Sequence, residues 1–173
     1  MATVCILAAG MGTRVNAFGG LLHKALLPIG PKPVLTRIIE QFDAESRFVV
    51  AVGHRQDQIR TYLALAHPDR DIDLVDVDPF SGPGAGPGRS LWECRSKLTE
   101  PFVLTAADTL TERIPTLGSR SWMGIAQVED PTKWCTVTID SEGCVSSLQY
   151  RDPEGGDIAY TGIAWITEPA VFF

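Results

Sequence analysis

Thr3–Arg14 reads TVCILAAGMGTR. Its first half, Thr3–Ala8, is an unbroken apolar run of strand length, and Gly10 and Gly12 close it. Such a run lacks the polar alternation of a half-exposed strand. It predicts a parallel strand buried on both faces that opens into a glycine-rich loop.

Working outward, residues 10–33 are rich in Gly and Pro and predict a long loop. Pro31 and Pro33 then precede Val34, Leu35, Ile38, Ile39 and Phe42, a helical spacing. Phe48–Val52 (FVVAV) predicts a second strand, stopped by Gly53. Ile59, Tyr62, Leu63 and Leu65 predict a helix over Gln56–Leu65, and Ile72–Val77 a third, shorter strand. Phe80–Arg89 (FSGPGAGPGR) is mostly Gly and Pro, which argues against helix or central strand. Ser90 is expected to cap a helix reaching Leu98, with Glu93 as its capping-box partner. Phe102–Thr105 predicts a fourth strand leading into Ala106, Ala107 and Asp108. Beyond it, Met123–Val128, Thr136–Ile139, Val145–Tyr150 and Ala159–Ile166 read as strands, the middle pair a hairpin about Ser141, Glu142 and Gly143. The expected fold is α/β: a three-layer, doubly wound, mostly parallel Rossmann-like sheet with extra antiparallel strands, in one domain over residues 1–173.

The composition, 45% hydrophobic and 21% charged over 173 residues, argues against disorder and suffices for a core. No apolar run approaches the ~18 residues of a membrane span. The opening MATVCILAAG has no basic stretch, so neither a signal peptide nor a membrane partner is expected. A net charge of −6 disfavours nucleic acid. That charge is uneven: in residues 1–40 Arg14, Lys24, Lys32 and Arg37 face Glu40 alone. A positive, glycine-rich stretch on an acidic body points to a phosphate ligand. Cys5, Cys94, Cys135 and Cys144 form no metal-like or C-x-x-C set, which predicts free thiols and a reducing, cytoplasmic location.

Three stretches carry chemistry. In Leu7–Arg14, Gly10 and Gly12 let backbone N–H groups approach an anion, Thr13 adds a hydroxyl and Arg14 a planar cationic fork. This is neither G-x-G-x-x-G nor a Walker A loop. The competing reading is a plain βα turn with a surface arginine. In Lys24–Leu35 (KALLPIGPKPVL), Lys24 opens an apolar run that would hold it partly desolvated. In Thr105–Leu110 (TAADTL), Asp108 follows a strand at the edge where open α/β sheets bind ligands, and its carboxylate suits Mg²⁺. The competing reading makes Asp108 a helix cap for DTLTER. Together the three suit an NTP attacked in line at its α-phosphorus.

The set LAAGMGTR, KALLPIGPKPVL and TAADT resembles the sugar-nucleotidyltransferase-like NTP transferases, in the branch of sugar-phosphate nucleotidyltransferases and cytidylyltransferases. GPGAGPGRSLWECR, DPTKWCTVTID and AYTGIAWI resemble a branch found with surface-polysaccharide enzymes. The resemblance implies the nucleotide-diphospho-sugar transferase fold. It also implies transfer of an NMP from CTP or UTP to a small phosphorylated acceptor, a sugar 1-phosphate or a choline- or inositol-type phosphate. Pyrophosphate would leave, and the product would feed polysaccharide or lipid precursor synthesis.

Residue by residue, it implies that Gly10, Met11 and Gly12 wrap the nucleotide while the backbone of Ala8 and Ala9 faces the base. Leu7, Thr13 and Ala107 complete that set, and Gly86, Gly88 and Ser90 close over base and ribose. Arg14 would hold the β- and γ-phosphates, Lys24 the α-phosphate and incoming phosphate, and Asp108 Mg²⁺. Tyr160, Thr161 and Gly162 would meet the acceptor, and Trp134 would serve it or pack in the core. A pyrimidine base is expected from the small pocket GPGAGPG leaves. The family's second metal carboxylate would come from a C-terminal segment beyond Phe173. His23 stands where the branch often has Pro, and is expected to be an exposed loop residue without a role.

Three other functions compete. They are a nucleotide-binding module without catalysis or an inactive truncated homologue, a molybdenum-cofactor nucleotidyltransferase, and a dinucleotide oxidoreductase. Thr13-Arg14 and KALLPIG fit the sugar-phosphate branch better than the molybdenum one, and the oxidoreductase lacks G-x-G-x-x-G. Oligomeric state is left open.

Overall fold

The computed structural model describes residues 1–13 and 21–173. The elements run β1 (Thr3–Ala8), a two-strand hairpin β2 (Pro28–Ile29) and β3 (Lys32–Pro33), α1 (Val34–Ile39), β4 (Arg47–Val52), α2 (Gln56–Ala66) and β5 (Asp71–Asp76). They continue with α3 (Pro87–Cys94), β6 (Phe102–Ala106), β7 (Trp122–Gln127), β8 (Cys135–Ile139), β9 (Val145–Tyr150), β10 (Ile158–Ile166) and α4 (Pro169–Phe172).

The main sheet has the order β5-β4-β1-β6-β10-β8-β9, with β7 also paired to β10. β5, β4, β1 and β6 are parallel. β10 is antiparallel to β6, β7 and β8, and β8 to β9. The chain leaves β1 for β4 and β5 on one side and returns to β6 on the other. This reversal opens a crevice at the carboxyl ends beside β1. The register makes that edge level, because Leu7 lies opposite both Ala51 and Ala106.

Side chains alternate across the strands and build two cores. Val4, Ile6, Ala8, Phe48, Val50 and Val52 pack under α1 and α2 with Leu35, Ile38, Ile39, Ile59 and Leu63. Cys5, Ala9, Val49, Ala51, Phe102 and Leu104 pack under α3 with Leu91 and Cys94. The expected three-layer, doubly wound sheet with antiparallel additions is therefore the observed one.

The long loop predicted over residues 10–33 carries the β2–β3 hairpin, and local expectations fail in three further places. α1 ends at Ile39, so Phe42 enters the core from the following loop. Leu65 is exposed, because six residues past Ile59 is the far side of a helix. The third failure concerns the glycine-proline segment. Its last residues, Pro87–Arg89, are the first turn of α3, since proline at the first helical position forfeits only an N–H that had no partner. Ser90 is consequently helix interior, and its N–H and hydroxyl both donate to the Gly86 carbonyl, at 3.1 and 3.2 Å. Glu93 pairs with Arg89 at 2.7 Å rather than closing a capping box. The predicted hairpin holds: Asp140 Oδ1 accepts the Glu142 and Cys144 N–H groups at 2.9 and 2.8 Å, with Gly143 left-handed between them.

Candidate active site

Lys24 and Asp108, 84 residues apart, meet over the crevice: Lys24 Nζ donates to Asp108 Oδ2 at 2.7 Å. Each reaches the spot for a local reason. β6 ends at Ala106, the Ala107 N–H donates to the Leu7 carbonyl at 3.1 Å, and the chain turns so that Asp108 stands just past the strand end. No helix follows, so the helix-cap reading of Asp108 is wrong. Thr109 braces the turn by donating its hydroxyl to the Thr161 carbonyl at 2.9 Å. Lys24 opens a one-turn 3₁₀ helix, Lys24–Leu26, whose Ala25 and Leu26 are buried. Its side chain is only 19% exposed, against 48% for Asp108. Lys32 and Arg37 stay apart from this pair. Lys32 pairs with Glu40 at 2.7 Å, and Arg37 Nε donates to the Ile29 carbonyl at 2.8 Å.

The glycine loop passes directly over the lysine. A Cβ at Gly12 would stand 3.1 Å from Lys24 Cδ and 3.2 Å from its Cβ, and Gly12 has φ +64°. Gly10 has open space around it and no positive φ. Gly12→Ala is therefore expected to cost about 1–2 kcal/mol, roughly 2–8 °C in Tm, while Gly10→Ala stays near neutral. Parallel thermal melts check this, and equal shifts from the two would contradict it. Met11 and Thr13 are exposed on the loop, Ala8 and Ala9 are buried at its root, and Leu7 is half-buried. Arg14 lies outside the described residues.

The structure corrects the reading of His23. The residue is 1% exposed. Its Nδ1 accepts the Ala25 N–H at 3.1 Å, and its own N–H donates to Gln58 Oε1 at 2.8 Å. Burial pushes the imidazole from 6.5 down to about 4, and the Lys24 ammonium and His54 act in the same sense. The Ala8 and Gly10 carbonyls oppose that shift. Sequence reasoning also missed His54 and Phe80. The His54 N–H donates to the Ala9 carbonyl at 3.0 Å. Its ring lies 6.4 Å from that of His23 and 6.1 Å from Phe80. Phe80 lies against Gly53, whose added Cβ would come within 2.6 Å of it. The strand-end rule that marked Asp108, applied after Val52, would have marked His54.

The remaining predicted residues divide. Ala107 is buried beneath the Asp108 turn. Gly86 and Gly88, at the start of α3, have open space where side chains would be. Ser90 is buried, and its hydroxyl donates within its own helix to the Gly86 carbonyl. Tyr160 lies beside Cys135, and burial pushes its phenol up to about 12. Gly162 backs onto the Asp108 turn, where a Cβ would meet Thr109 Oγ1 at 2.8 Å. Thr161 lines a cavity of about 560 Å³ with Thr109, Arg113, Trp122, Ile125 and Ile163. Trp134 is exposed, so a core role for it is excluded.

Asp108 tests the expected metal. Among the described residues no three His, Cys, Asp or Glu side chains cluster as a metal cage. Mg²⁺ does not require one: it commonly takes one or two carboxylates and completes its shell with phosphate oxygens and water. An accessible carboxylate at the crevice fits that use. No described helix is long and apolar enough to cross a membrane.

A glycine loop, a lysine and a carboxylate thus meet at the switch point of a doubly wound sheet, where open α/β proteins bind their ligands. Residues 4–117 match the MobA-like NTP transferase domain, and the chain belongs to that family. The chain is similar to the bifunctional protein GlmU of Burkholderia mallei (strain SAVP1), 27% identical over 157 residues that cover 84% of this chain and 32% of the relative. It thus spans about a third of that relative's length. The fold is that of UDP-glucose pyrophosphorylase complexed with UDP-glucose, with TM-score 0.78, 18% identity, and 99% and 78% of the two chains covered. It is also that of the inositol-1-phosphate CTP transferase from T. maritima, with TM-score 0.68, 17% identity, and 96% and 71% covered. At these identities the two structures speak for the fold alone.

Proposed function

We propose that residues 1–173 form one NTP transferase domain. It transfers an NMP from CTP or UTP to a small phosphorylated acceptor, a sugar 1-phosphate or a choline- or inositol-type phosphate. The observation that carries this reading is the Lys24–Asp108 contact at 2.7 Å beneath the glycine loop. A cation and a carboxylate held together there can exchange partners when a triphosphate arrives. An acceptor phosphate oxygen attacks the α-phosphorus, and the bond to the pyrophosphate oxygen breaks on the opposite side. Lys24 carries the charge that develops on the transferred phosphoryl group, and Arg14 holds the leaving pyrophosphate. Mg²⁺, held by Asp108 with the substrate's phosphate oxygens, would supply further neutralisation of that charge. The cavity beside Asp108, lined by Thr161 and Arg113, is the acceptor's place in this reading. The reading places the protein in the cytoplasm, in polysaccharide or lipid precursor synthesis.

The test is pyrophosphate release from each of the four NTPs with Mg²⁺, over a panel of sugar 1-phosphates and choline- and inositol-type phosphates. The expected result is acceptor-dependent release with CTP or UTP. Tight nucleotide binding without release would instead mark a non-catalytic nucleotide-binding module.

A further inference from the structure

His23 presents one ring nitrogen that the fold uses and one that it leaves without a partner. Nδ1 accepts the Ala25 N–H at 3.1 Å, which places the neutral ring's proton on Nε2. Nε2 is buried, and among the described residues it has no hydrogen-bond partner. A buried N–H without an acceptor is costly to keep, so such a group persists where it has something to do. The carbonyls of Ala8 and Gly10, at the root and first bend of the glycine loop, lie close enough to favour the protonated ring, but neither meets Nε2 in hydrogen-bond geometry. The Ala9 carbonyl between them is already taken by the His54 N–H at 3.0 Å. A trans peptide is planar, with C=O and N–H pointing opposite ways. A Gly10 carbonyl drawn down to a buried imidazole therefore turns the Met11 N–H the opposite way, outward from the ring. A Cβ at Gly10 would meet no described atom within 4 Å, so the loop is not packed against its neighbours at this residue.

We propose that His23 is a positioning residue of the nucleotide site: Nε2–H donates to the Gly10 carbonyl when a triphosphate binds and so aims the Met11 N–H at its phosphates, while Nδ1 holds the turn that presents Lys24. This rests on the nucleotidyltransferase reading above. It gives one side chain two separable tasks. His23→Asn keeps an acceptor at the Nδ1 position, since Asn caps such turns well, and removes the Nε2 donor. His23→Gln carries an amide donor out to the Nε2 position.

The experiment titrates CTP and UTP into the full chain and both variants by calorimetry, and measures kcat and KM by pyrophosphate release. His23→Asn is expected to weaken nucleotide binding about tenfold, the size of one hydrogen bond. KM should rise to match, with kcat within about twofold. His23→Gln is expected to bind within about threefold of the wild type, because the donor at the Nε2 position is restored, but to show a lower kcat, because the Nδ1 acceptor that holds the Lys24 turn is lost. A folded Asn variant that binds as tightly as the wild type overturns the proposal. So does equal weakening in the two variants, which marks a packing role only. A wild-type chain that binds no NTP overturns the functional reading and this proposal with it, whereas failure with wild-type binding intact concerns His23 alone.

Discussion

Lys24→Ala is expected to lower turnover by about 10²–10³-fold while shifting Tm by no more than about 4 °C. The two numbers come from different environments for one charge. In the free protein Lys24 Nζ contacts Asp108 at 2.7 Å, but Asp108 is 48% exposed. Ion pairs that share solvent in this way contribute only about 0–1 kcal/mol to folding. On the proposed reaction the same ammonium would face the transferred phosphoryl group in the transition state, where the bound substrate would replace most of its water. Removing one such donor typically costs about 3–4 kcal/mol of barrier. Lys24→Arg should restore little, because the side chain threads the narrow space under Gly12, where a Cβ would already stand 3.1 Å away. Asp108→Asn keeps the shape and removes the charge. Its loss should match that of Lys24→Ala, with the double variant far from the product of the two effects. Steady-state pyrophosphate release with matched thermal melts decides the matter. Turnover within threefold of the wild type, or activity lost only in step with folding, would reject the roles given to this pair.

The centre of the sheet was legible because β1, β4 and β6 are buried on both faces. Thr3–Ala8 and Phe48–Val52 are continuous apolar runs that no other element explains, and they fixed the layers and the edge. Asp108 was legible for a related reason, because a carboxylate just past a buried strand has few structural duties. Loop burial follows no period, and there the reading failed. His23 sits among glycines and leucines with no pattern to mark it as 1% exposed. Its partner Gln58 comes from α2, 35 residues on. Ser90 failed because a local capping signal competed with a proline that could start the helix three residues earlier. Tyr160, Thr161 and Gly162 were grouped as neighbours in sequence, but successive strand residues face opposite ways. Thr161 faces the cavity, while Tyr160 lies by Cys135.

Acid should destabilise this protein in a window that belongs to histidine, and His23→Asn should flatten the curve there. The folded-state imidazole of His23 titrates near 4, against its ordinary 6.5. Between those values the unfolded chain binds a proton that the folded chain refuses, so unfolding takes up a proton and stability falls as pH falls. His23's contribution is fully present above pH 6.5 and is lost progressively down to pH 4. That gap corresponds to roughly 3 kcal/mol. His67 is lowered too, by burial and then by Arg70, so part of the slope remains in the variant. The carboxylates act elsewhere. Asp73, held below its ordinary 3.8 by the Arg47 hydrogen bond despite some burial, loses its contribution only at pH below that value. The comparison is therefore clean between pH 4.5 and 8. At pH 8 the Asn variant should be less stable than the wild type, having lost the packing of a buried ring. Toward pH 4.5 the two curves should converge or cross, since the variant has no imidazole left to charge. Urea denaturation at four pH values in this range measures it, with the slope of stability against pH as the readout. Parallel curves for the two proteins would mean that the buried ring is not the group that titrates.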